Sequence, residues 1–380
     1  MQSPIQHIKR ALIVILCGWA TLSVCKAQSF RQQCSNGIVL SYVIQQDITT
    51  VAVYCEEVPD SVTEVVIPAT VTYNRKNYTI TAIKSKGFKS FSKITTVTLP
   101  STIIAIGAEA FYECEKLSSV CCANAIRVPN TVCIPSSVSY VGKEAFAKCS
   151  NLNFIIVDKG NPTYDSRNNC NAIIETKTNT LLCGCQSTLI PNNVTSIGPL
   201  AFHGCSGLTS ITIPESVTFI GYGAFQKCEK LTSVHIPKSV TTIETGILNY
   251  CESVTAITVD TANPAYDSRD NCNAIIATKT NTLVCGCQNT IIPNTVTAIG
   301  FNAFFGCSGL TSITIPESVT SIKAFAFDNC KNLPTVHIPK SVTSIGPRVF
   351  MWDIRDKITI DPDNPVYGSN YNGGKSKPLD

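Results

Sequence analysis

The sequence is poor in the residues that most often perform chemistry. It has four histidines, two tryptophans and two methionines in 380 residues, and only 15% of its residues are charged. Without the first 27 residues, 27 Lys and Arg face 26 Asp and Glu. This even balance gives no electrostatic basis for binding nucleic acid or anionic lipid. The three histidines beyond residue 27 show no grouping with acidic or thiol partners that would predict a catalytic site.

Long apolar runs are also scarce. The longest, residues 11–24, follows two basic residues and holds 14 residues, whereas a membrane-spanning helix needs about 20. We therefore interpret residues 1–27 as a signal peptide. An alternative interpretation treats Leu22 to Cys25 as a lipobox, which would leave a lipid anchor on Cys25. Both interpretations predict an exported chain without a membrane span.

Cysteine, by contrast, is abundant, with 20 in the chain and 18 beyond residue 27. Export permits disulfides. The candidate pairs are Cys34 with Cys55, Cys170 with Cys185, and Cys272 with Cys287. The Cys-x-Cys motifs that end at Cys185 and Cys287 lack nearby partners, so no metal site is predicted.

Most of the chain repeats at a fixed interval. When the sequence is aligned on the dipeptide Ala-Phe, a phenylalanine, or once a leucine, recurs most often every 23 residues. We call this series the ladder; its members are Phe88, Phe111, Phe146, Phe202, Phe225, Leu248, Phe304, Phe327 and Phe350. Seven cysteines follow three residues later: Cys114, Cys149, Cys205, Cys228, Cys251, Cys307 and Cys330. Their register beside the phenylalanines predicts buried packing groups. A period of this length is typical of a solenoid, whose units bury one another's apolar faces.

Two steps of the ladder contain a 33-residue insertion. The segment NPTYDSRNNCNAIIETKTNTLLCGC at 161–185 returns as NPAYDSRDNCNAIIATKTNTLVCGC at 263–287, which defines a larger unit of 102 residues. A third copy begins at Asn364. In each insertion two strand-like runs flank a Lys-Thr-Asn turn, which predicts a hairpin that projects from the stack.

One unit shows how the local structure is expected to form. Apolar and polar residues alternate at the end of residues 208–213. This alternation predicts a short strand from which Ile211 and Ile213 face inward and which Pro214 terminates. In residues 223–228, Ala224, Phe225 and Cys228 have the spacing of one helical turn.

The pattern LxxIxIPxxVTxIGxxAFxxC resembles the leucine-rich repeats of the bacterial surface protein A (BspA-like) type. It lacks the asparagine ladder of the broader class, and Ser216 and Ser239 stand near that position. The resemblance implies a leucine-rich repeat solenoid: a right-handed β/α slab of about 23-residue units with short parallel strands and single helical turns. The predicted organisation is a signal peptide at 1–27, a β-rich N-terminal cap at 28–82, repeats at 83–357 with inserted hairpins at about 158–188 and 260–290, and a partial repeat with a disordered tail at 358–380.

The predicted function follows from this architecture and from the resemblance. We expect a secreted or cell-surface bacterial scaffold, not an enzyme, that uses no cofactor and adheres to an extracellular protein or glycan. A purely structural spacer and a carrier domain of an enzyme are the alternatives. The candidate binding residues project from the strands or lie in loops: Thr212, His235, Thr258, Thr314 and His337, with the aromatics Phe219, Tyr222, Phe301 and Phe305.

Overall fold

The computed structural model describes residues 28–122, 128–350 and 358–367. Within these ranges the chain forms 28 strands and two 3-10 turns, Arg167–Asn169 and Arg269–Asn271, with no α-helix. The predicted signal peptide with Cys25, residues 351–357 of the predicted repeats and the predicted tail from residue 368 lie outside the described residues.

The N-terminal strands form a mixed sheet that leads into the repeats. β1 (Ser29–Gln33), β2 (Val39–Ile44) and β3 (Thr50–Glu57) are antiparallel neighbours, while β5 (Thr70–Tyr73) and β6 (Lys76–Ile83) form a hairpin whose second strand lies parallel to β3. Asn74 and Arg75 close this hairpin with φ of 49° and 61°, the left-handed backbone that a two-residue turn requires. β6 then pairs with the first short strand of the repeats.

The strands of the repeats form two separate stacks, and within each stack neighbouring repeat strands pair in parallel. The sequence predicted only one strand in each unit. One stack, which we call the long-strand face, contains β4 (Glu64–Val66), β7 (Thr96–Leu99), β9 (Ser119–Cys122), β10 (Thr131–Ile134), β12 (Phe154–Val157), β18 (Ser233–Ile236), β20 (Ala256–Val259), β26 (Val336–Ile338) and β28 (Ile358–Ile360). The other, the short-strand face, contains β8 (Ala105–Ile106), β11 (Tyr140–Val141), β16 (Ser196–Ile197), β17 (Phe219–Ile220), β19 (Thr242–Ile243), β24 (Ala298–Ile299), β25 (Ser321–Ile322) and β27 (Ser344–Ile345). Two-residue strands are too short to be recognised from alternation.

The strand predicted at residues 208–213 is not formed, and neither is its copy at 310–315. Each segment lies between an insertion and a long strand, β18 or β26, and Thr232 N–H donates to Thr209 O at 3.2 Å, but no further hydrogen-bond ladder forms. The alternation of burial nevertheless holds, because Ile211 is half-buried, Thr212 is exposed and Ile213 is buried.

The predicted helical turn is wrong, because the Ala-Phe segments are runs of β-turns. In residues 221–228, Gln226 N–H donates to Gly223 O within the run at 2.9 Å, whereas Phe225 N–H donates to Ile247 O of the next run at 3.0 Å. Gly223 and Lys227 have φ of 58° and 60°, which no α-helix contains. We call these segments the turn runs, and their outward side the turn edge. Ala224, Phe225 and Cys228 still point into the core and are fully buried.

The inserted hairpins do not project from the stack but form part of it. The first comprises β13 (Tyr164–Asp165), β14 (Ala172–Glu175) and β15 (Thr180–Gly184); the second comprises β21 (Tyr266–Asp267), β22 (Ala274–Ala277) and β23 (Thr282–Gly286). β15 and β23 pair in parallel with the short strands that follow them, β16 and β24.

Each hairpin separates two hydrophobic cores. Ile173 packs into the first core and its neighbour Ile174 into the second, while Ile275 and Ile276 divide between the second and the third. Since successive side chains of a strand point to opposite faces, a strand buried on both sides must be apolar at every position. The two hairpins are therefore internal walls between three cores.

Phenylalanine rings stack along the inside of the turn runs. Neighbouring rings lie 5.0 to 5.5 Å apart in the pairs Phe88–Phe111, Phe111–Phe146, Phe202–Phe225, Phe304–Phe327 and Phe327–Phe350. At each hairpin the ring is replaced by glycine, because a Cβ on Gly184 would lie 2.2 Å from the Phe202 ring and one on Gly286 equally close to Phe304.

A recurring Asn-Pro-x-Tyr motif caps the end of each set of short strands. The Asn263 amide donates to Pro237 O at 2.8 Å and Val240 O at 2.9 Å, and its Oδ1 accepts the N–H groups of Ala265 and Tyr266. The Tyr266 hydroxyl accepts a hydrogen bond from the N–H of Ile243 at 2.9 Å. Ile243 lies in β19, the edge strand of its sheet. The same contacts recur at Asn161 with Tyr164 and at Asn364 with Tyr367.

Serine hydroxyls connect consecutive repeats in the first 102-residue unit, whereas Ser318 Oγ and Ser341 Oγ, at the same positions of the copy, are buried without a hydrogen-bond partner. Ser216 Oγ donates to Val194 O at 2.6 Å, and Ser239 Oγ donates to Val217 O at 2.7 Å. Each bond satisfies a carbonyl of the preceding unit that would otherwise be unpaired inside the stack.

Candidate binding surfaces

The long-strand face brings together some of the predicted binding residues. His235 and Thr258 occupy paired positions on β18 and β20, and their side chains are exposed, with His235 Nδ1 3.0 Å from Thr258 Oγ1. The copy reproduces this arrangement, with His337 Nδ1 3.2 Å from Thr359 Oγ1. Thr212 and Thr314 are exposed at the corresponding place in the units that form no strand.

Two exposed aliphatic residues on this face are absent from the sequence-based set. Leu189 and Ile291 are 73% and 74% exposed, and each precedes an Ile-Pro step as Thr212 and His235 do. The signal was present in the sequence, because a large apolar residue replaces a polar one at the same position in both copies.

The predicted aromatic residues do not form one surface with the strand residues. Phe219 lies in β17 rather than in a loop and is half-buried, which corrects the prediction. Tyr222 and Phe301, 42% and 53% exposed, lie at the corner where a short strand enters a turn run, and Phe305 is half-buried on the turn edge. The candidate set is therefore spread over three sides of the solenoid.

The N-terminal half of the turn edge is a charged network. Tyr112 lies between two cations, with Lys89 Nζ at 4.5 Å and Lys148 Nζ at 4.9 Å from its ring centroid. Lys89 forms an ion pair with Glu109 at 2.6 Å, and Lys148 pairs with Glu113. The hydrogen bonds from these lysines lower the pKa of both carboxyl groups. Because the charges satisfy one another, this half has few unpaired groups for a ligand.

His203 extends this network into the interior. Its Nδ1 lies 2.8 Å from Glu144 Oε2, its ring packs edge-on against Tyr112, and its Nε2 is buried without a hydrogen-bond partner. Sequence reasoning did not single out this contact, since 59 residues separate the two side chains.

The C-terminal half of the turn edge is aromatic. Phe305 packs edge-to-face against Tyr250 at 5.2 Å on one side and against Phe325 at 6.3 Å on the other. A cation lies at each end, with Lys227 Nζ 5.4 Å from the Tyr250 centroid and Arg348 Cζ 5.2 Å from that of Phe325. Of these five residues only Phe305 was predicted.

Five of the seven ladder cysteines are buried packing groups whose thiols donate to a backbone carbonyl of a neighbouring turn run, whereas Cys205 and Cys307 are half-buried. Cys228 Sγ donates to Phe202 O at 3.2 Å and Cys251 Sγ to Phe225 O at 3.0 Å, with equivalent bonds at Cys114, Cys149 and Cys330. Burial raises the pKa of Cys114 and Cys251 to about 12. Thiols of this kind hold almost no thiolate at neutral pH and are poor nucleophiles.

All 18 cysteines of the described residues are free thiols in this structure. The pairs Cys34 with Cys55, Cys170 with Cys185, and Cys272 with Cys287 stay predictions for the oxidised chain. Within the described ranges, no group of three or more His, Cys, Asp or Glu side chains is arranged to hold a metal ion.

A small cleft lies beside the first hairpin. It has about 20 Å³ of internal space and is lined by Cys149, Cys185 and Cys205 together with Lys148 and Gln186. That volume is enough for roughly one water molecule. No helix among the described residues has the length and apolar character needed to cross a membrane.

These features define the class of the protein. Stacked units of 23 residues with parallel strands and serine-connected turns form a leucine-rich repeat fold. The sequence matches the family described as BspA type leucine rich repeat region in six copies, over residues 61–171, 172–269 and 280–369. The chain belongs to this family, which supports a binding role at a bacterial surface.

Solved structures of bacterial leucine-rich repeat proteins are similar to the chain. A leucine-rich repeat protein from Eubacterium ventriosum is 22% identical with a TM-score of 0.50, and the match covers 91% of this chain and 99% of that one. A leucine rich cell surface protein from Faecalibacterium prausnitzii is 22% identical with a TM-score of 0.46, covering 87% and 98%. No curated protein matches the chain.

Proposed function

We propose that the protein is an exported, non-catalytic scaffold that adheres to an extracellular protein or glycan at the bacterial surface. The observation that carries this proposal is the duplicated exposed pair on the long-strand face, His235 with Thr258 and His337 with Thr359. Both pairs are exposed on the long-strand face, where an imidazole and a hydroxyl side by side can donate and accept hydrogen bonds with a partner. The buried thiols and the water-sized cleft give no support to the alternative of an enzyme.

The binding test uses the chain from residue 28 on arrays of extracellular matrix proteins, bacterial surface proteins and glycans. We expect at least one array member to be bound, and the combined substitution His235→Ala, Tyr222→Ala, Phe301→Ala and His337→Ala to weaken that binding at least tenfold. Thr241→Ala with Thr343→Ala, two exposed residues that are also 102 positions apart, is the matched control. Unchanged affinity in the fourfold variant would refute this assignment of the surface.

The same experiment addresses the alternative functions. A structural spacer would bind no array member. An enzymatic carrier with a reactive cysteine would show one thiol that reacts rapidly with an aromatic disulfide in the folded state, whereas we expect all ladder thiols to react only after denaturation.

A further inference from the structure

Because the 102-residue unit is duplicated, the residues on the turn edge of the earlier copy can be compared with those at the same positions of the later copy. Residues 197–218 and 299–320 differ at only three positions, and all three lie at the start of the turn run. Two of the three changes introduce phenylalanine: Pro199 corresponds to Phe301 and His203 to Phe305. The strand and serine positions of the same segments are identical.

The turn runs before and after these segments diverge in the same direction. Lys148 corresponds to Tyr250, Gly223 to Phe325 and Gly246 to Arg348, each 102 residues apart. Phe325 and Arg348 have φ of 60° and 52°, a left-handed backbone that glycine adopts freely and that costs a bulky residue conformational energy. The later copy therefore carries large side chains at positions where the fold itself is better served by glycine.

These side chains join into one ladder that is partly exposed to solvent. Lys227, Tyr250, Phe305, Phe325 and Arg348 follow one another along the axis at spacings of 5.2 to 6.3 Å. The three rings are half-buried, whereas the Arg348 side chain is 60% exposed. Fixed rings with partly solvated surfaces lose little conformational entropy on binding, and aromatic residues and arginine are the types enriched in protein interfaces.

The charges of the ladder indicate what its partner carries. Among the described residues, Lys227 has no carboxylate within ion-pair distance, and the one carboxylate at that distance from Arg348 is Asp328, at 3.4 Å. The ladder therefore has a cation at each end, and the exposed Arg348 guanidinium, which has five N–H donors, keeps donors for a ligand beside its ion pair with Asp328.

We propose that this ladder is a docking site for a protein segment in which a carboxylate stands next to a bulky apolar side chain. The apolar group packs on the rings of Phe305 and Phe325, and the carboxylate accepts hydrogen bonds from the Arg348 guanidinium. The inference rests on the proposed function, since it names the site and the chemistry of one partner of the scaffold.

The test is a selection of random peptides displayed on phage against the chain from residue 28. We expect the selected peptides to share Asp or Glu beside Leu, Ile, Phe or Trp. A synthetic peptide of the selected sequence should bind the variant Phe305→His, Phe325→Gly, Arg348→Gly about thirtyfold more weakly. These replacements are the residues of the earlier copy, so the backbone already accommodates them.

A single substitution tests the same site in case the triple variant does not fold. Arg348→Gly should weaken the peptide about tenfold and abolish the preference for its acidic residue, whereas the exposed cation Lys331, replaced by alanine, should have no effect. Thermal unfolding followed by circular dichroism verifies that each variant is folded.

The outcomes separate this inference from the function on which it rests. No selected peptide, peptides without an acidic residue, or equal affinity for the folded ladder variants would overturn the inference. If an array member is bound and depends on His235 and His337 but not on the ladder, the scaffold function stands and the docking site is wrong. If neither an array member nor a peptide is bound, both fail.

Discussion

The capping asparagine of the second block offers a quantitative test of how the solenoid is held together. Asn263 is 8% exposed and makes four hydrogen bonds, two to carbonyls of the preceding repeat and two to N–H groups of its own turn. Asn263→Ala leaves three backbone groups without this partner, Val240 O and the N–H groups of Ala265 and Tyr266, while Pro237 O still accepts the Val240 N–H at 3.2 Å. A buried unpaired group costs about 1 to 3 kcal/mol, and water entering the gap recovers part of this. We expect local destabilisation of about 4 kcal/mol.

Hydrogen exchange followed by mass spectrometry measures this effect where it occurs. Since every 1.4 kcal/mol is a factor of ten, protection of the amides around residues 240–243 should fall by about a thousandfold. Exchange around residues 135–141, which Asn161 caps in the same way, should stay unchanged. Asn294→Ala, an exposed asparagine in a neighbouring turn, is the control. A fall of less than threefold, or an equal fall in the control, would refute the capping role.

Other consequences can be measured on the same protein. Gly184→Ala should destabilise the chain by about 1 to 3 kcal/mol in urea, because its Cβ meets the Phe202 ring, whereas Gly160→Ala should be neutral. Tyr266→Phe removes the acceptor of the Ile243 N–H and should cost about 1 kcal/mol; no change would contradict its role as an edge cap. Burial raises the pKa of Cys251 from 9.0 to about 12, so the unfolded chain releases its proton first. The free energy of unfolding should therefore fall between pH 9 and 12, by up to about 1.4 kcal/mol per pH unit for each such thiol, and a flat profile would contradict this.

The period and the inward side of the repeats could be predicted from sequence because they depend on residue type. Phe225 and Cys228 recur at fixed spacing, and only a shared interior explains why an aromatic ring and a thiol keep that register. The alternation of Ile211, Thr212 and Ile213 indicated the buried side even though no strand forms there.

The turn runs were misinterpreted because the sequence hides their backbone. Ala224, Phe225 and Cys228 have helical spacing, but the left-handed positions beside them are occupied elsewhere by Lys86, Glu109 and Leu200, residues that do not usually indicate positive φ. Bonds to the next run, rather than local propensity, stabilise this conformation.

The hairpin walls and the aromatic ladder depend on contacts between distant parts of the chain. Ile173 and Ile174 read as an ordinary buried strand, and the sequence does not reveal that they serve different cores. The ladder joins Tyr250 to Phe305 across the second insertion, although a comparison of the two 102-residue copies position by position would have revealed it.

The internal walls have a consequence for how such a chain changes over evolutionary time. A segment bounded by two walls brings its own partition and its own cap, so recombination between the near-identical copies can add or remove a whole block without exposing an unfinished interior. A damaging substitution inside one block is likewise confined by the wall beside it, which leaves neighbouring blocks free to diverge on their outer edge.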